Sequence, residues 1–215
     1  MRLRVLAAVF MFAGLGLAAR ADVANPNFSP ANPGVGYGSV PSWTEAGSGG
    51  LGSNNSTGQP FFDNGTLPAG DTTAGFIQGD GSFSQSLTLV PGQTYTLSFY
   101  DNARLGSGCN PACDATPTLS VSLGGSTLLG PTAVSAVGDS KLFNFVSDTF
   151  TYTGSTTATL DFSSETNGVT GAAQDGTLLL SDVHLVSTTP EPSSLMLLGT
   201  SILGAAGVMR RRLAR

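Results

Sequence analysis

The chain is short of cysteine, histidine and positive charge. Two of its 215 residues are Cys, one is His and nine are Lys or Arg. The lone His184 excludes a zinc site built on paired histidines, and two Cys exclude a four-thiolate site. Seven of the basic residues sit at the ends: Arg2, Arg4 and Arg20 first, Arg210, Arg211, Arg212 and Arg215 last. Between Asp22 and Thr189 only Arg104 and Lys141 are basic, against thirteen acidic residues, a net of −11. Nothing there neutralises phosphate, so nucleic acid is excluded as a partner. Helical signal is also missing from the middle, which shows no 3.6-residue period.

What is present begins with two address labels. Arg2 and Arg4, the apolar run Val5–Ala18 and the small-x-small triplet Ala19-Arg20-Ala21 predict a signal peptide over 1–21. Cleavage between Ala21 and Asp22 would expose the body to an oxidising compartment. Cys109 and Cys113 are then expected to pair and close a very small loop. Loop entropy makes that bond's stabilisation modest. Their spacing is not the C-x-x-C of redox motifs.

At the other end, Pro190-Glu191-Pro192 precedes an apolar run from Leu195 to Met209 and the cluster Arg210-Arg211-Arg212. As a helix the run spans roughly 22 Å, against roughly 30 Å of hydrocarbon. Flanking Ser193 and Ser194 and snorkelling arginines make up the difference. The arginines stay cytoplasmic and the body lies outside. This order of features resembles the PEP-CTERM sorting signal of bacterial exported proteins, over 190–215. The resemblance implies an exosortase-type processing enzyme that cuts near the Pro-Glu-Pro motif. It also implies a Gram-negative-type envelope, a transient inner-membrane anchor, and association with extracellular polysaccharide.

Residues 22–189 read as an all-β domain. Phe83, Gln85, Leu87 and Leu89 alternate with Ser84, Ser86 and Thr88; Tyr95, Leu97 and Phe99 alternate with Thr94, Thr96 and Ser98. Pro91-Gly92 between them predicts two adjacent antiparallel strands. Further strands are expected at Leu119–Leu123, Phe150–Tyr152, Ala158–Phe162 and Leu178–Val186. Seven or eight short strands point to an antiparallel β-sandwich, a jelly roll. Residues 32–80 are rich in Gly, Pro, Ser and Asn and read either as long ordered loops over the sandwich or as a partly mobile stretch.

The order Asn25-Pro26-Asn27-Phe28, Trp43, Gly81–Leu87, Pro91–Phe99 and Leu180–Leu185 resembles the galactose-binding-like jelly roll of carbohydrate-binding modules. That resemblance spans residues 25–186 and implies a structural Ca²⁺ between the opening and last strands, at Asn27 and Asp182. Oxygen donors of this kind suit the ion. Ser29 stands where the pattern often has an acidic residue, leaving one carboxylate.

Sugar binding calls for an aromatic face beside amides and carboxylates. Trp43, Tyr37, Tyr100, Asp101, Asn102 and Gln85 are candidates, though Trp43 reads more readily as a core plug beneath the loops. Tyr100 lies on the opposite strand face from Tyr95, Leu97 and Phe99, and meets water unless a second layer covers it.

Catalysis has little to stand on. No G-x-S-x-G turn accompanies His184, which reads as a structural or surface residue. Asp161, Glu165 and Asp175 are the carboxylates that would have to converge in a hydrolase. Gly47-Ser48-Gly49-Gly50-Leu51-Gly52 formally matches G-x-G-x-x-G, but without a buried strand before it and a helix after it the stretch reads as a Gly-rich loop. Two functions stay open: a structural or adhesive surface protein, and a carbohydrate-binding module with a defined glycan. A hydrolase is the third and weakest.

Overall fold

An apolar–polar alternation sends one set of side chains to each side of a strand, so two such sheets stacked on their apolar sides enclose a core. The computed structural model shows this arrangement in residues 21–31, 38–47, 50–55, 64–104, 116–165 and 176–188, the residues it describes. By its contacts the chain divides into Met1–Ala18 with Thr189–Arg215, and Ala19–Thr188; the described residues belong to the second unit.

The strands are β1 (Thr44–Gly47), β2 (Gly50–Asn55), β3 (Asn64–Thr66), β4 (Thr73–Gln78), β5 (Gly81–Thr88) and β6 (Thr94–Ala103). They continue with β7 (Thr118–Leu123), β8 (Ser126–Ala133), β9 (Asp139–Leu142), β10 (Asn144–Thr151), β11 (Thr157–Glu165) and β12 (Thr177–Ser187). One five-stranded sheet has the order β1-β5-β11-β7-β8, and the other β10-β6-β12-β4-β2. Every pairing in them is antiparallel. The chain changes sheet at most connections, the path of a jelly roll.

The core follows the alternation. Phe83 and Leu87 of β5, Leu119, Val121 and Leu123 of β7, and Leu160 and Phe162 of β11 point in from one sheet. Tyr95, Leu97 and Phe99 of β6 and Leu178, Leu180, Val183 and Leu185 of β12 meet them from the other. Each such side chain contributes about 1.5–3 kcal/mol by leaving water.

Three expectations are corrected. First, β5 and β6 do not pair. They lie in opposite sheets and face each other across the core. Alternation alone shows which way side chains point, not whether the next strand lies beside or above. The Pro91 turn carries the chain over as an arch. By contrast, Gly124-Gly125, at φ 57° and 82°, joins β7 to β8 as a two-residue hairpin, with Leu123 opposite Ser126. Positive φ at both central positions is the type I′ requirement, met by glycine.

Second, residues 32–80 are not only loops: β1 to β4 fall in this stretch. β4 is buried on both faces between β12 and β2, so it shows no alternation. Its Gly75 admits the Phe28 ring, whose Cδ1 lies 2.5 Å from where a Cβ would stand. The glycine stretch that begins at Gly47 leads from β1 in one sheet to β2 in the other.

Third, the outer face of the β6–β12–β4 region is covered. The short parallel pair β3–β9 and its flanks bring Leu67 and Phe143 onto Ala74, Phe76, Leu179 and Tyr100, a second, smaller apolar cluster.

The N-terminal segment closes the sandwich. Ala21 forms an antiparallel bridge with Leu185, and Val183 donates to the Pro26 carbonyl at 3.1 Å. Buried Gln85 accepts from the Ala24 amide at 2.8 Å and donates to the Ala24 and Ser42 carbonyls.

Candidate functional site

The strand register builds an outward ribbon on β10 and β6. Phe145 stands opposite Tyr100, Ser147 opposite Ser98, Thr149 opposite Thr96 and Thr151 opposite Thr94. The two threonine pairs are hydrogen-bonded across the strands, at 2.9 and 3.2 Å. At the far end of the ribbon the rings of Tyr100 and Phe145 pack at 5.1 Å with a 54° tilt. Tyr100 is half-buried against the outer cluster, while Phe145 is 60% exposed. An exposed phenyl ring backed by a second ring is a fixed apolar platform. Phe145 was invisible to the sequence reading because β10 is an edge strand whose pattern, Asn-Phe-Val-Ser-Asp-Thr-Phe-Thr, is exposed along most of its length. Only the fold, by setting it opposite Tyr100, marks it out.

The other glycan candidates lie elsewhere. Trp43 is 7% exposed. Its ring stacks on Phe28 at 4.9 Å and meets Phe83 and Phe162 edge-on at 6.3 and 6.0 Å. Its Nε1 donates to the Asn25 carbonyl at 3.0 Å. It is the core plug, with no face left for a ligand. Asn102 is fully buried, and its Oδ1 accepts from the backbone amides of Ala103 and Val137, both at 2.9 Å, which ties the outer layer to β6. Asp101 is buried on the opposite face of β6 from the ring pair, and Asn144 Nδ2 donates to its Oδ1 at 3.2 Å. Burial holds the Asp101 carboxyl above its ordinary range, and the Asn144 bond opposes that shift. Neither side chain is free to meet a sugar hydroxyl. Gln85 is spent on the N-terminal segment, and Tyr37 lies outside the described residues.

A second polar group surrounds a bulge in β12. The register shifts between Ser181 and His184, and Asp182 takes φ 54°. The shift moves the next inward side chain from position 182 to Val183 and turns Asp182 outward. Asp182 Oδ1 bonds His184 Nε2 at 2.7 Å. Ser181 Oγ donates to Asp71 Oδ2 at 2.7 Å, and the Asn27 side chain bonds the same carboxylate. Burial first, and then the charge of Asp182, raise the Asp71 carboxyl. The Ser181, Asn27 and His184 interactions oppose them. Asn27 Oδ1 is buried without a hydrogen-bond partner. The structure therefore brings Asn27 and Asp182 to one place and adds Asp71, which the sequence reading missed. Asp71 lies 111 positions before Asp182, and only the pairing of β4 with β12 unites them.

The donors are oxygens, as Ca²⁺ prefers. Among the described residues no three His, Cys, Asp or Glu side chains gather into a metal group. The fit therefore depends on the orphaned Asn27 amide oxygen and on backbone carbonyls joining the two carboxylates.

The hydrolase carboxylates do not converge. Asp161 and Glu165 are four residues apart on β11, roughly 13 Å along a strand, beyond the roughly 5–9.5 Å that glycosidase pairs span. Asp161 sits half-buried on the outer face of its sheet, where burial raises its carboxyl and a Ser82 bond opposes the shift. Asp175 lies outside the described residues. A groove of about 400 Å³ runs between Ala21–Val23, Pro26 and His184–Val186; its lining holds the His184 imidazole but no Phe, Tyr or Trp ring.

Cys109, Cys113, Ala19, Pro190, Glu191, Pro192, Arg210, Arg211 and Arg212 also lie outside the described residues. Among the described residues no helix is long and apolar enough to cross a membrane.

Comparison with known proteins finds the C-terminal sorting signal. The model of the PEP-CTERM protein-sorting motif matches residues 188–212. No curated protein matches the chain. Among solved structures, the chain is similar to TmCBM61, solved in complex with beta-1,4-galactotriose. The identity is 14% and the TM-score 0.48, over 79% of this chain and 99% of that one. It is also similar to the CBM22-1 xylan-binding domain of Paenibacillus barcinonensis Xyn10C, at 12% identity and a TM-score of 0.48, over 72% and 91% of the two chains. A CBM4 structure matches at 16% identity and a TM-score of 0.35, over 64% and 86%. The chain is thus an all-β sandwich that carries a PEP-CTERM protein-sorting motif, the mark of an exported, surface-sorted protein.

Proposed function

We propose that this exported protein works at the cell surface as a non-catalytic adhesive module that holds extracellular polysaccharide. An exosortase-type enzyme processes its tail near Pro190-Glu191-Pro192, and until then the segment Leu195–Met209 anchors it in the inner membrane. The observation that carries the glycan reading is the exposed Phe145 ring braced by Tyr100 on the outer face of β10 and β6. The C–H face of a neutral sugar ring packs on such a platform. The Ser98–Ser147 pair below it on the same face supplies hydroxyl partners. The net charge of −11 over Asp22–Thr189 disfavours acidic polymers.

Pull-down on neutral and acidic polysaccharides tests this reading. Phe145→Ala is expected to weaken binding at least about tenfold, the loss of one stacked ring, without shifting the melting temperature. Tyr100→Ala is expected to weaken it while also loosening the outer cluster. No saturable binding to any of the polymers, or binding indifferent to Phe145, leaves a purely structural surface protein.

Asn27, Asp71 and Asp182 are our proposed position for a structural Ca²⁺. The orphaned Asn27 oxygen beside two carboxylates supports it. Saturating Ca²⁺ is expected to raise the melting temperature by a few degrees, as binding to the native state alone requires. Asp71→Asn is expected to abolish that rise. A melting temperature indifferent to Ca²⁺ rejects the site.

A further inference from the structure

Each of the two large sheets ends in two edge strands, and an edge presents backbone donors and acceptors that can pair with a further strand. Three of the four edges are blunted. β1 is only four residues long and carries Glu45. β8 contains Pro131, and its register against β7 shifts twice. β2 is bridged on its outer side, Ser53 to Gly38. β10 is different. It pairs with β6 over eight consecutive residues, Asn144–Thr151, without a shift, and among the described residues no strand lies beyond it. It contains no Pro, Gly, Lys or Arg, and Asp148 is its one charge. Six of its eight residues are exposed, Phe145 among them.

We infer that β10 is a self-association edge, at which a second copy of this chain adds its own β10 antiparallel and makes one continuous ten-stranded sheet. An edge of this kind accepts any extended strand. The second copy's β10 is already extended and held by β6, so it pairs without the ordering cost that a flexible peptide meets. Side chains set the register. A two-fold axis perpendicular to the sheet keeps outward residues opposite outward residues. With Ser147 on that axis, seven residues overlap, Asn144–Phe150. Phe145 then stands opposite the partner's Thr149, an aromatic–β-branched pair of the kind that stabilises sheets. An axis at Asp148 sets two like charges directly opposite each other, which is destabilising. An axis at Val146 or Thr149 shortens the overlap to five residues.

Seven paired residues make an edge of roughly 24 Å. Contact along one strand covers less than the roughly 800 Å² per partner of a standard interface, so the dimer is weak and forms where the protein is concentrated. Two bodies of net charge −11 repel each other, and salt screens that repulsion. Both Phe145 rings come to the same face of the joined sheet, roughly 14 Å apart along the strands. A polymer that meets both rings gains from effective concentration. The pairing itself does not depend on sugar binding.

Sedimentation of the full chain in mild detergent, over a range of protein concentration, tests this. A monomer–dimer equilibrium with a Kd of roughly 10–100 µM is expected, tightening as NaCl rises from about 50 to about 500 mM. Ser147→Glu sets two carboxylates opposite each other on the axis. It is expected to weaken the dimer at least about threefold and to leave the melting temperature unchanged, because residue 147 is exposed. Ser147→Cys is expected to give a disulfide-linked dimer under mild oxidation at least about tenfold faster than Thr159→Cys, an exposed position on the other sheet, with the unsubstituted chain as the blank. Association unmoved by Ser147→Glu, or equal linking at the two positions, overturns the inference. A chain that stays monomeric up to about 1 mM overturns it as well. Glycan pull-down is scored separately, so each of these failures leaves the Phe145 platform standing.

Discussion

The inner core and the outer cluster are built from the same residue types and depend on the sequence in different ways. Inside, Phe83, Tyr95, Leu97, Phe99, Leu160 and Phe162 come from strands that alternate strictly and meet face to face. Outside, Leu67 and Phe143 arrive from β3, β9 and their flanks to cover Phe76, Leu179 and Tyr100. The inner core is closed by two sheets. The outer cluster has one sheet beneath it and a thin layer above, pinned by Asn102 to Val137. Its rim carries the exposed Phe145 and the proposed sugar platform. A recognition surface placed there inherits its shape from a layer that is less deeply enclosed than the core.

Substitutions can break or sharpen this contrast. Phe162→Ala, in the inner core, is expected to cost about 3–5 kcal/mol in denaturant unfolding. Phe143→Ala, in the outer cluster, is expected to cost nearer 2 kcal/mol, since a thin layer collapses into the space more readily. Equal losses would make the two clusters one cooperative core. Gly75→Ala sits between them: a methyl there meets the Phe28 ring, and the overpacking is expected to cost about 1–3 kcal/mol. A neutral outcome would mean that the Phe28–Trp43 stack shifts freely.

Asp101→Asn gives the smallest effect and reverses the sign. Burial raises the Asp101 carboxyl in the folded state. Between its unfolded and folded values the native chain therefore holds more protons than the unfolded chain, so stability falls as pH rises through that window. Raised carboxyls at Asp71 and Asp161 act in the same direction. The amide keeps an acceptor for Asn144 and is expected to add a few tenths to about 1 kcal/mol at neutral pH, and to flatten the slope of melting temperature against pH on the acid side. A neutral-pH loss in the variant would mean that the Asn144 bond to the charged form outweighs burial.

Some of this molecule was legible before any fold was known. The class and five strands were legible at Phe83–Leu89, Tyr95–Phe99, Leu119–Leu123, Ala158–Phe162 and Leu178–Val186; the strand expected at Phe150–Tyr152 instead runs from Asn144 to Thr151. β4 was not legible, because a strand buried on both faces has no alternation and its Thr-Ala-Gly-Phe-Ile-Gln reads as part of a Gly-rich loop. Asn27 and Asp182 were singled out; Asn27 bonds Asp71, whose carboxyl also feels the Asp182 charge, and no local pattern marks Asp71. Trp43 and Tyr100 were both candidates for a sugar platform, with Tyr100 the better placed to face water. Phe28, Phe83 and Phe162 enclose the first, and the second is left at a rim with Phe145.

The sequence by itself determined the C-terminal sorting address and the class. A sorting motif is read as a linear string, and period-2 alternation is a local property of the chain. Tertiary structure alone decided which aromatic faces water, which carboxylates share a site, and which sheet edge is left open. Those are outcomes of strand order: β10 beside β6 at the end of its sheet, and β12 beside β4. Strand order joins residues far apart in the chain, and alternation says nothing about which strand will be the neighbour.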